Sequence, residues 1–270
     1  MSFTVATWNI NSVRLRIGIV EKLLREKAPD ILCLQETKCP QGQFPSSSLK
    51  ELGYSHIAEF GQKGYHGVAI VSRIPFTDQA SKRFCGKEDC RHVSAKFGTK
   101  SPVVVHNFYV PAGGDEPDPK INEKFDHKLK FLEEMWDWSK SLAKHSKHNS
   151  IAVGDLNVAP LEHDVWSHKD LLKIVSHTPV ETKRMNEIIA AGNWMDVVRK
   201  HVPSDQKLYT WWSYRAKDWE VSNRGRRLDH IWASPELGEQ CTKIEVVKEA
   251  RSWKQPSDHI PVLAHFNQIL

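Results

Sequence analysis

The segment from Ile151 to Pro160 reads IAVGDLNVAP, and the rest of the chain is organised around it. Its small and apolar residues end at Gly154, which is typical of a buried strand that reaches the rim of a sheet. Asp155 and Asn157 follow, and side chains two apart on an extended chain point the same way. The pair supplies hard oxygen ligands and a hydrogen-bond donor, which suits a metal ion beside a charged oxygen. This pair alone also fits an ordinary Asx turn. Whether it belongs to a functional site therefore depends on the residues at the ends of the other strands.

The length and composition predict one soluble domain. The 270 residues contain no linker-like or repetitive segment, so we predict a single domain over residues 1–270. The first residues lack the pattern of a signal peptide, and no apolar run approaches the roughly 20 residues that cross a bilayer. Five cysteines without a CxxC pair are typical of a reduced compartment. We therefore expect a soluble, cytoplasmic protein that does not bind membranes.

Basic and aromatic residues are concentrated between Lys207 and Arg227. The whole chain has a formal net charge of +5 and a sequence pI of about 8.8, which permits a polyanionic partner without requiring one. In this window six basic residues against two acidic ones give a net charge of +4, and five aromatic residues lie among them. Cations interleaved with stackable rings predict a contact with nucleic acid. The alternative is a solvated loop whose tryptophans pack into the core.

Hydrophobic periodicity predicts alternating strands and helices. Strands are expected near residues 2–9, 30–36, 54–60, 66–73, 91–97, 102–109, 151–157, 227–234, 242–249 and 259–266. Helices are expected after a cap at Ser12, near Leu49, and over residues 120–145, 182–191 and 194–201. The first strand, helix and second strand form a βαβ unit, so the two strands are expected to be parallel neighbours.

Polar side chains stand at matching ends of these strands. Strands are closed by Asn9, Glu36, Tyr109 and the pair Asp155 and Asn157, and are opened by Asp229 and the pair Asp258 and His259. All of these groups meet at one rim if the later strands run antiparallel to the earlier ones. We therefore predict an α/β fold in which two mixed sheets pack face to face with helices outside.

Carboxylates crowded at one rim repel one another unless a cation neutralises them. Glu36, Asp155 and Asp258 offer only oxygen ligands, which favours Mg²⁺ or Mn²⁺ over zinc. Such an ion polarises phosphoryl oxygens and stabilises a leaving oxyanion, so the pattern predicts phosphoester hydrolysis. The base for the attacking water is either His259, oriented by Asp229, or Asp155, and the sequence leaves both open.

Five segments of the chain occur in an order and at intervals that resemble a known family. They are WNIN, LQETK, GDLNVAP, RRLDHIWAS and SDHIPV, and the likeness extends from Phe3 to Phe266. The chain resembles the exonuclease III family of bacterial apurinic/apyrimidinic endonucleases. This resemblance implies a four-layer αββα sandwich that acts as a monomer with Mg²⁺, for which Mn²⁺ substitutes. It also implies cleavage of duplex DNA 5′ to abasic sites and 3′→5′ removal of nucleotides and blocking groups from duplex ends.

The resemblance also implies roles for individual residues. The implied metal-site residues are Asn9, Glu36, Asp155, Asn157, Asp258 and His259. The implied catalytic residues are Tyr109, which contacts the scissile phosphate, Asp155, Asn157, which orients the phosphate, and the pair His259 and Asp229. The implied DNA-facing residues are Trp212, Arg215, Arg224 and Trp219, the last lying against the extruded sugar.

Two features depart from that family, and two other functions remain possible. Arg226 stands where the family often has an apolar residue beside the abasic pocket, so it either weakens the abasic preference or points outward. The loop AGGDEPDP at residues 112–119 also differs. One rival is a phosphatase or phosphodiesterase acting on phosphoinositides or lipids, against which the basic and aromatic window argues. The other is a non-catalytic DNA-binding relative, which has no need of the complete rim set.

Overall fold

The structure is a computed structural model that describes residues 2–144, 149–268 and 270. Within these residues the strands are β1 Phe3–Asn9, β2 Ile31–Gln35, β3 His56–Phe60, β4 Val68–Ser72, β5 Phe76–Ser81, β6 His92–Phe97, β7 Val103–Tyr109, β8 Ser150–Asp155, β9 Met195–Asp196, β10 Trp211–Trp212, β11 Gly225–Arg226, β12 Asp229–Ala233, β13 Cys241–Val246 and β14 Val262–Phe266. The helices are α1 Val13–Glu26, α2 Ser46–Glu51, α3 Glu123–Ala143, α4 His168–Leu171, α5 Pro179–Ala191, α6 Val197–His201, α7 Trp219–Ser222 and α8 Pro235–Glu239.

The strands form two six-stranded mixed sheets and a short two-stranded ribbon. The first sheet has the order β13-β14-β1-β2-β4-β3 and the second the order β5-β6-β7-β8-β12-β9, while β10 and β11 form the ribbon. The β1–β2 and β7–β8 pairs are parallel and the remaining pairs are antiparallel. The predicted βαβ unit is therefore present, and β12 and β14 run opposite to the strands beside them, as the rim prediction requires.

Apolar side chains fill the space between the two sheets. Val5 and Ile31 point inward from the first sheet, and Val105, Ile151 and Ile231 point inward from the second. Each of these fully buried aliphatic side chains stabilises the fold by about 1.5–3 kcal/mol. Because successive residues of a strand face opposite sides, their neighbours are free to pack against the helices.

The outer faces of the sheets are covered by helices. Val20 and Leu24 of α1 pack on the first sheet beside Trp8, while Phe131 and Met185, from α3 and α5, pack on the second sheet. The layers are thus helix, sheet, sheet and helix, which confirms the predicted four-layer arrangement. Among the described helices, none combines the length and the apolar character required to span a bilayer.

Several predicted helix boundaries were wrong. Ser12 precedes α1, but its side chain makes no capping hydrogen bond. Helix α3 begins later than residue 120, at an N-cap where the side chain of Asn122 accepts from the backbone N–H of Lys124, and the predicted end at residue 145 lies outside the described residues. Helix α5 begins before residue 182 because Thr178 and Glu181 form a capping box around its first turn.

Strand predictions failed where the hydrophobic signal was weak. Strand β5 was missed because five of its six residues are exposed and its sequence FTDQAS has no apolar alternation. The first residues of the predicted helix at 194–201 instead form the two-residue strand β9, and α6 is correspondingly short. Strand β13 ends at Val246, and β14 begins at Val262, so both are shorter than predicted.

Candidate active site

The polar strand ends meet at one rim around a cavity of about 550 Å³. The predicted residues that line this cavity are Glu36, Tyr109, Asp155, Asn157, Arg215, Arg224, Asp258 and His259. Asn9 and Asp229 are buried directly behind it. In the sheet register Asp155 lies beside Tyr109 on one side and Asp229 on the other, so the strand pairing itself brings these three residues together.

The turn after β8 fixes the first carboxylate. A Cβ atom at Gly154 would lie 1.9 Å from the carbonyl oxygen of Phe108, so only glycine allows this close pairing of β7 and β8. Asp155 then accepts from the backbone N–H of Asn157 at Oδ1 (3.0 Å) and from the Asn157 amide at Oδ2 (3.1 Å). Asn157 has a φ of +52°, so a left-handed Asx turn, and not strand alternation, places it beside Asp155.

Asn9 joins two of the carboxylates. Its amide nitrogen donates to Glu36 Oε1 at 2.9 Å and to Asp155 Oδ2 at 2.8 Å, while its oxygen accepts from the backbone N–H of Asn11. The amide of Asn9 turns its nitrogen toward the acids, so in this arrangement Asn9 holds Glu36 and Asp155 at a fixed separation. Its role as a metal-site residue stays a prediction.

Lys38 keeps Glu36 ionised. Its Nζ lies 2.8 Å from Glu36 Oε2 and donates to Asn11 Oδ1 at 2.7 Å. Burial alone would raise the pKa of Glu36, but the charge and hydrogen bond of Lys38 and the Asn9 amide lower it below its ordinary value. Lys38 stands in the LQETK motif but was not among the predicted site residues.

Asp258 is held by two hydrogen bonds from opposite sides. Asn11 Nδ2 donates to its Oδ1 at 3.1 Å and Trp211 Nε1 donates to its Oδ2 at 2.9 Å. Burial raises the pKa of Asp258, but the charge of His259 and these two donors outweigh it and lower the pKa. Asp258 therefore remains a carboxylate, and through Asn11 and Lys38 it is connected to Glu36.

His259 lies between two carboxylates. Its Nδ1 is 2.8 Å from Asp229 Oδ2, which also accepts from the Thr210 hydroxyl at 2.6 Å, and its Nε2 is 3.7 Å from Asp155 Oδ2. Burial lowers the pKa of His259, but the charges of Asp229 and Asp155 raise it above its ordinary value. The predicted pairing of His259 with Asp229 is therefore present, and its predicted role at the metal site stays a prediction.

The net pKa shift of Asp155 is opposite to that of Glu36, although burial raises the pKa of both. Desolvation raises the pKa of its carboxyl group, and the charge of His259 offsets this only in part. Tyr109 is also affected, since burial and the charges of Glu36 and Asp155 raise its pKa well above the ordinary value. The tyrosine hydroxyl is therefore neutral, and it is hydrogen-bonded to Glu36.

These groups form one hydrogen-bonded network that we name the acid-rich cluster. It consists of the carboxylates Glu36, Asp155, Asp229 and Asp258 with the cations Lys38 and His259. Four carboxylates against two cations leave two formal negative charges in a largely buried site. One divalent cation matches that excess, and all-carboxylate oxygen ligands suit a hard ion such as Mg²⁺ or Mn²⁺.

The closest-packed ligand groups include Asp155 and His259 from the predicted metal site, together with Asp229, which was not predicted as a metal-site residue. Among the residues that the structure describes, Asp155, Asp229 and His259 bring ligand atoms within 4.8 Å of one another. The predicted set of Glu36, Asp155 and Asp258 lines the same cavity more widely spaced, with Asn9 between two of its members. Because Mg²⁺ usually binds one or two carboxylates and keeps several waters, this wider set still fits such an ion.

The same cavity is also lined by Arg215, Arg224 and Arg226 with Trp166 and Trp211, a set that we name the arginine wall. The guanidinium of Arg224 lies over the ring of Trp166 at 4.7 Å, and that of Arg226 lies over Trp211 at 5.3 Å. The cavity thus combines carboxylates with guanidinium groups and indole rings, and Trp211 joins the two sets through its hydrogen bond to Asp258.

Two of the predicted DNA-facing tryptophans do not line the cavity. Trp212 is only 2 % exposed, donates from Nε1 to Asn223 Oδ1 and packs edge-on against Trp219 at 5.1 Å. Trp212 is therefore packed as the alternative interpretation of this window describes, and its contact with DNA stays a prediction that this arrangement does not support. Residues 211 and 212 lie side by side on β10 and so face opposite sides, which places Trp211 in the cavity. No sequence pattern predicted that Trp166 would line the cavity.

Comparisons with known proteins agree with this geometry. The model of the Endonuclease/Exonuclease/phosphatase family matches residues 6–259. Exodeoxyribonuclease III of Haemophilus influenzae is 30% identical over 277 aligned residues, which cover 96% of this chain and 98% of that protein. An AP endonuclease from Archaeoglobus fulgidus superposes with a TM-score of 0.88 at 34% identity, covering 98% of this chain and 100% of its own. The 3′ phosphatase NExo from Neisseria, bound to a product DNA hairpin, has a TM-score of 0.88 at 30% identity with the same coverage.

Proposed function

Since this chain belongs to the endonuclease/exonuclease/phosphatase family, we propose that it is a metal-dependent phosphodiesterase of DNA repair. It cleaves the duplex backbone 5′ to abasic sites and trims 3′ ends, with Mg²⁺ as the cofactor and Mn²⁺ as a substitute. The observation that supports this most is that one cavity is lined by both the acid-rich cluster and the arginine wall. A nucleic-acid phosphodiester requires both sets of residues, because its phosphates need cations and its hydrolysis needs acidic groups.

Glu36 and Asp258 are the residues that would hold the metal, with Asp155 beside them. Both keep low pKa values through Lys38, Asn11 and other donors, so they are charged at neutral pH. When bound, the cation neutralises the phosphoryl oxygens and stabilises the leaving oxyanion.

Asp155 is the better candidate for the base that accepts the proton of water. A carboxylate whose pKa is raised toward the operating pH suits proton transfer, and three amide hydrogen bonds fix its two oxygens. His259 is the weaker candidate, because its raised pKa keeps it protonated. From Nε2 the imidazolium of His259 donates a hydrogen bond to a phosphoryl oxygen, and Asp229 holds its orientation.

Tyr109 and Asn157 complete the site in different ways. The neutral hydroxyl of Tyr109 donates to the phosphate, since its raised pKa excludes a phenolate. Asn157 donates its amide hydrogens to Val110 O and to Asp155 Oδ2, so it positions Asp155 and leaves the phosphate to other donors.

The arginine wall supports DNA as the substrate. Arg215 and Arg224 pair with backbone phosphates, while Trp166 and Trp211 offer faces to a base or sugar outside the stack. A nucleotide that already lacks its base costs least to move into such a cavity. Action as a monomer rests on the family resemblance, and the five cysteines, all free, support a reduced compartment such as the cytoplasm.

An abasic duplex tests this proposal. The protein is incubated with a duplex that carries one abasic analogue, with Mg²⁺ and with excess EDTA, and we expect a cut 5′ to the analogue only when Mg²⁺ is present. Glu36→Ala should lose this activity and remain folded by circular dichroism. Glu187→Ala, a partly exposed acid of α5, is the matched control and should keep full activity.

Two outcomes would contradict the proposal. Full activity of Glu36→Ala would remove the metal assignment. Absence of DNA binding at low salt, together with hydrolysis of a phosphoinositide, would place the chain with the phosphatases of its family instead.

A further inference from the structure

Arg226 and Arg227 are neighbours in sequence, but only one of them has a counter-charge. Arg227 donates to Asp164 at 2.8 Å and to Asp196 at 2.6 Å. Arg226 lines the cavity and donates from Nη1 to the carbonyl oxygen of Val175 at 2.9 Å and to the hydroxyl of Ser176 at 2.8 Å. Both of its acceptors are neutral, and its buried Nε has no hydrogen-bond partner among the described residues.

The acid that acts most on Arg226 already has a partner of its own. Glu181 is that acid, but its carboxylate lies 2.5 Å from the ammonium of Lys128, and both side chains are completely buried. The same carboxylate accepts from the backbone N–H groups of Ser176 and Thr178. Glu181 and Lys128 therefore neutralise each other, and the positive charge of Arg226 remains uncompensated.

A desolvated and uncompensated cation is costly unless something else supplies the opposite charge. Burial lowers the pKa of Arg226, as expected for a guanidinium that has lost water without gaining an anion. A guanidinium nevertheless stays charged in proteins, so the cost persists until an anion enters the cavity. Arg226 and Trp211 face the same space, and an anionic group there would contact both.

We propose that Arg226 is a specificity residue that selects substrates whose released group carries a negative charge of its own, such as a 3′ blocking group that bears a carboxylate. This inference rests on the proposed function. The reacting phosphate lies against the acid-rich cluster, and the group that is joined to it extends toward the arginine wall. A neutral released group leaves Arg226 unpaired, whereas a carboxylate forms a charge-assisted hydrogen bond with it.

The reaction itself is an ordinary hydrolysis. Water adds to phosphorus, and the bond from phosphorus to the 3′ oxygen of the retained strand breaks. One water proton passes through Asp155 and ends on that 3′ oxygen. The products are a 3′ hydroxyl and a phosphate monoester that carries the released group past Arg226.

Two 3′ ends of nearly equal shape test this proposal. One duplex ends in a 3′-phosphoglycolate and the other in a 3′-phosphoglycolamide, in which a neutral amide replaces the carboxylate. We expect kcat/KM of the wild-type protein with Mg²⁺ to be about tenfold or more higher for the glycolate, as a charge-assisted hydrogen bond implies. Arg226→Met should bring the ratio close to one, and Arg226→Lys should keep part of it.

Arg224→Met is the matched control. Arg224 is an exposed arginine of the same wall and lies over Trp166, so its removal should lower kcat/KM for both ends by a similar factor and leave the ratio unchanged. Hydrolysis of both ends by the wild type at equal efficiency would overturn the proposal even if no variant folds, and so would a ratio that Arg226→Met does not change. Hydrolysis of neither end would overturn the proposed nuclease function itself, which is a different result.

Discussion

Two buried clusters of charged side chains lie on either side of the start of β12, and they differ in charge balance. The first is the acid-rich cluster, in which four carboxylates meet two cations. The second, which we name the balanced cluster, consists of Asp164, Asp196, Arg199 and Arg227, so two carboxylates meet two guanidinium groups. Arg227 and Asp229 belong to different clusters although only one residue separates them.

This difference in net charge shifts the carboxyl pKa values of Asp164 and Asp155 in opposite directions. In the balanced cluster burial raises the pKa of Asp164, but Arg227 and Arg199 outweigh it and lower the pKa, so the carboxylate keeps its charge. In the acid-rich cluster the pKa values of both Asp155 and His259 are raised, so His259 keeps its proton at neutral pH and Asp155 titrates much closer to neutral pH than Asp164 does. A cluster in which the charges cancel needs no bound ion, so its role is structural. An acid-rich cluster takes up cations, which is what a metal-dependent site requires.

The largest expected effect is a loss of activity without a loss of stability, and it is expected in the acid-rich cluster. Asp155→Asn should lower the rate of abasic-duplex cleavage by about 10²–10⁴-fold, because the base is lost. Its unfolding free energy in EDTA should stay the same or increase, since a desolvated carboxyl group has been replaced by a neutral amide. Urea unfolding and single-turnover kinetics measure both quantities. A strong loss of stability would mean that Asp155 is structural.

In the balanced cluster a substitution should lower the stability strongly and change the activity little. Arg227→Met leaves Asp164 and Asp196 with one remaining partner, Arg199, and should lower the unfolding free energy by about 3–5 kcal/mol, as expected when one member of a buried ion-pair network is removed. Activity per folded molecule, measured at low temperature, should change much less. Arg224→Met, at an exposed arginine, is the control and should change stability by only about 0.5 kcal/mol or less. A marginal effect of Arg227→Met would contradict the distinction between the clusters.

A smaller effect is expected in the pH dependence of unfolding in EDTA. The folded pKa of Asp164 is lowered, so its stabilising contribution is present above about pH 4 and is lost as the pH falls through the folded pKa. The folded pKa of His259 is raised, so its contribution is present below about pH 6.5 and is lost as the pH rises through the folded pKa. The unfolding free energy measured in urea should therefore fall at low pH, which we name the acid limb, and at high pH, which we name the alkaline limb. His259→Gln should flatten the alkaline limb, and an alkaline limb that this substitution leaves unchanged would contradict the assignment.

The sequence predicted that the polar side chains at the strand ends meet at one rim. This was possible because a strand end can be recognised where an apolar run stops at a polar residue. It predicted Asn157 for the wrong reason, since a left-handed turn and not strand alternation places that residue. The family resemblance, the four-layer fold and the pairing of His259 with Asp229 were all predicted, and the comparisons confirm the family.

The sequence did not predict which charges are paired. Lys38, which lies two residues after Glu36, and the balanced cluster depend on contacts between distant segments, which periodicity does not encode. The same limit applies to Trp211 and Trp212, since a ribbon of only two residues per strand gives no pattern from which to choose the exposed ring. Strand β5 was missed because an exposed edge strand has no hydrophobic alternation.

Calorimetric titration with Mn²⁺ tests the central distinction most directly. We predict that the wild-type protein binds Mn²⁺, that Glu36→Gln weakens binding by about tenfold or more, and that Asp164→Asn, studied at a temperature where it is folded, binds as the wild type does. Wild-type affinity in Glu36→Gln, or a loss of binding in Asp164→Asn alone, would contradict the assignment of the cation to the acid-rich cluster.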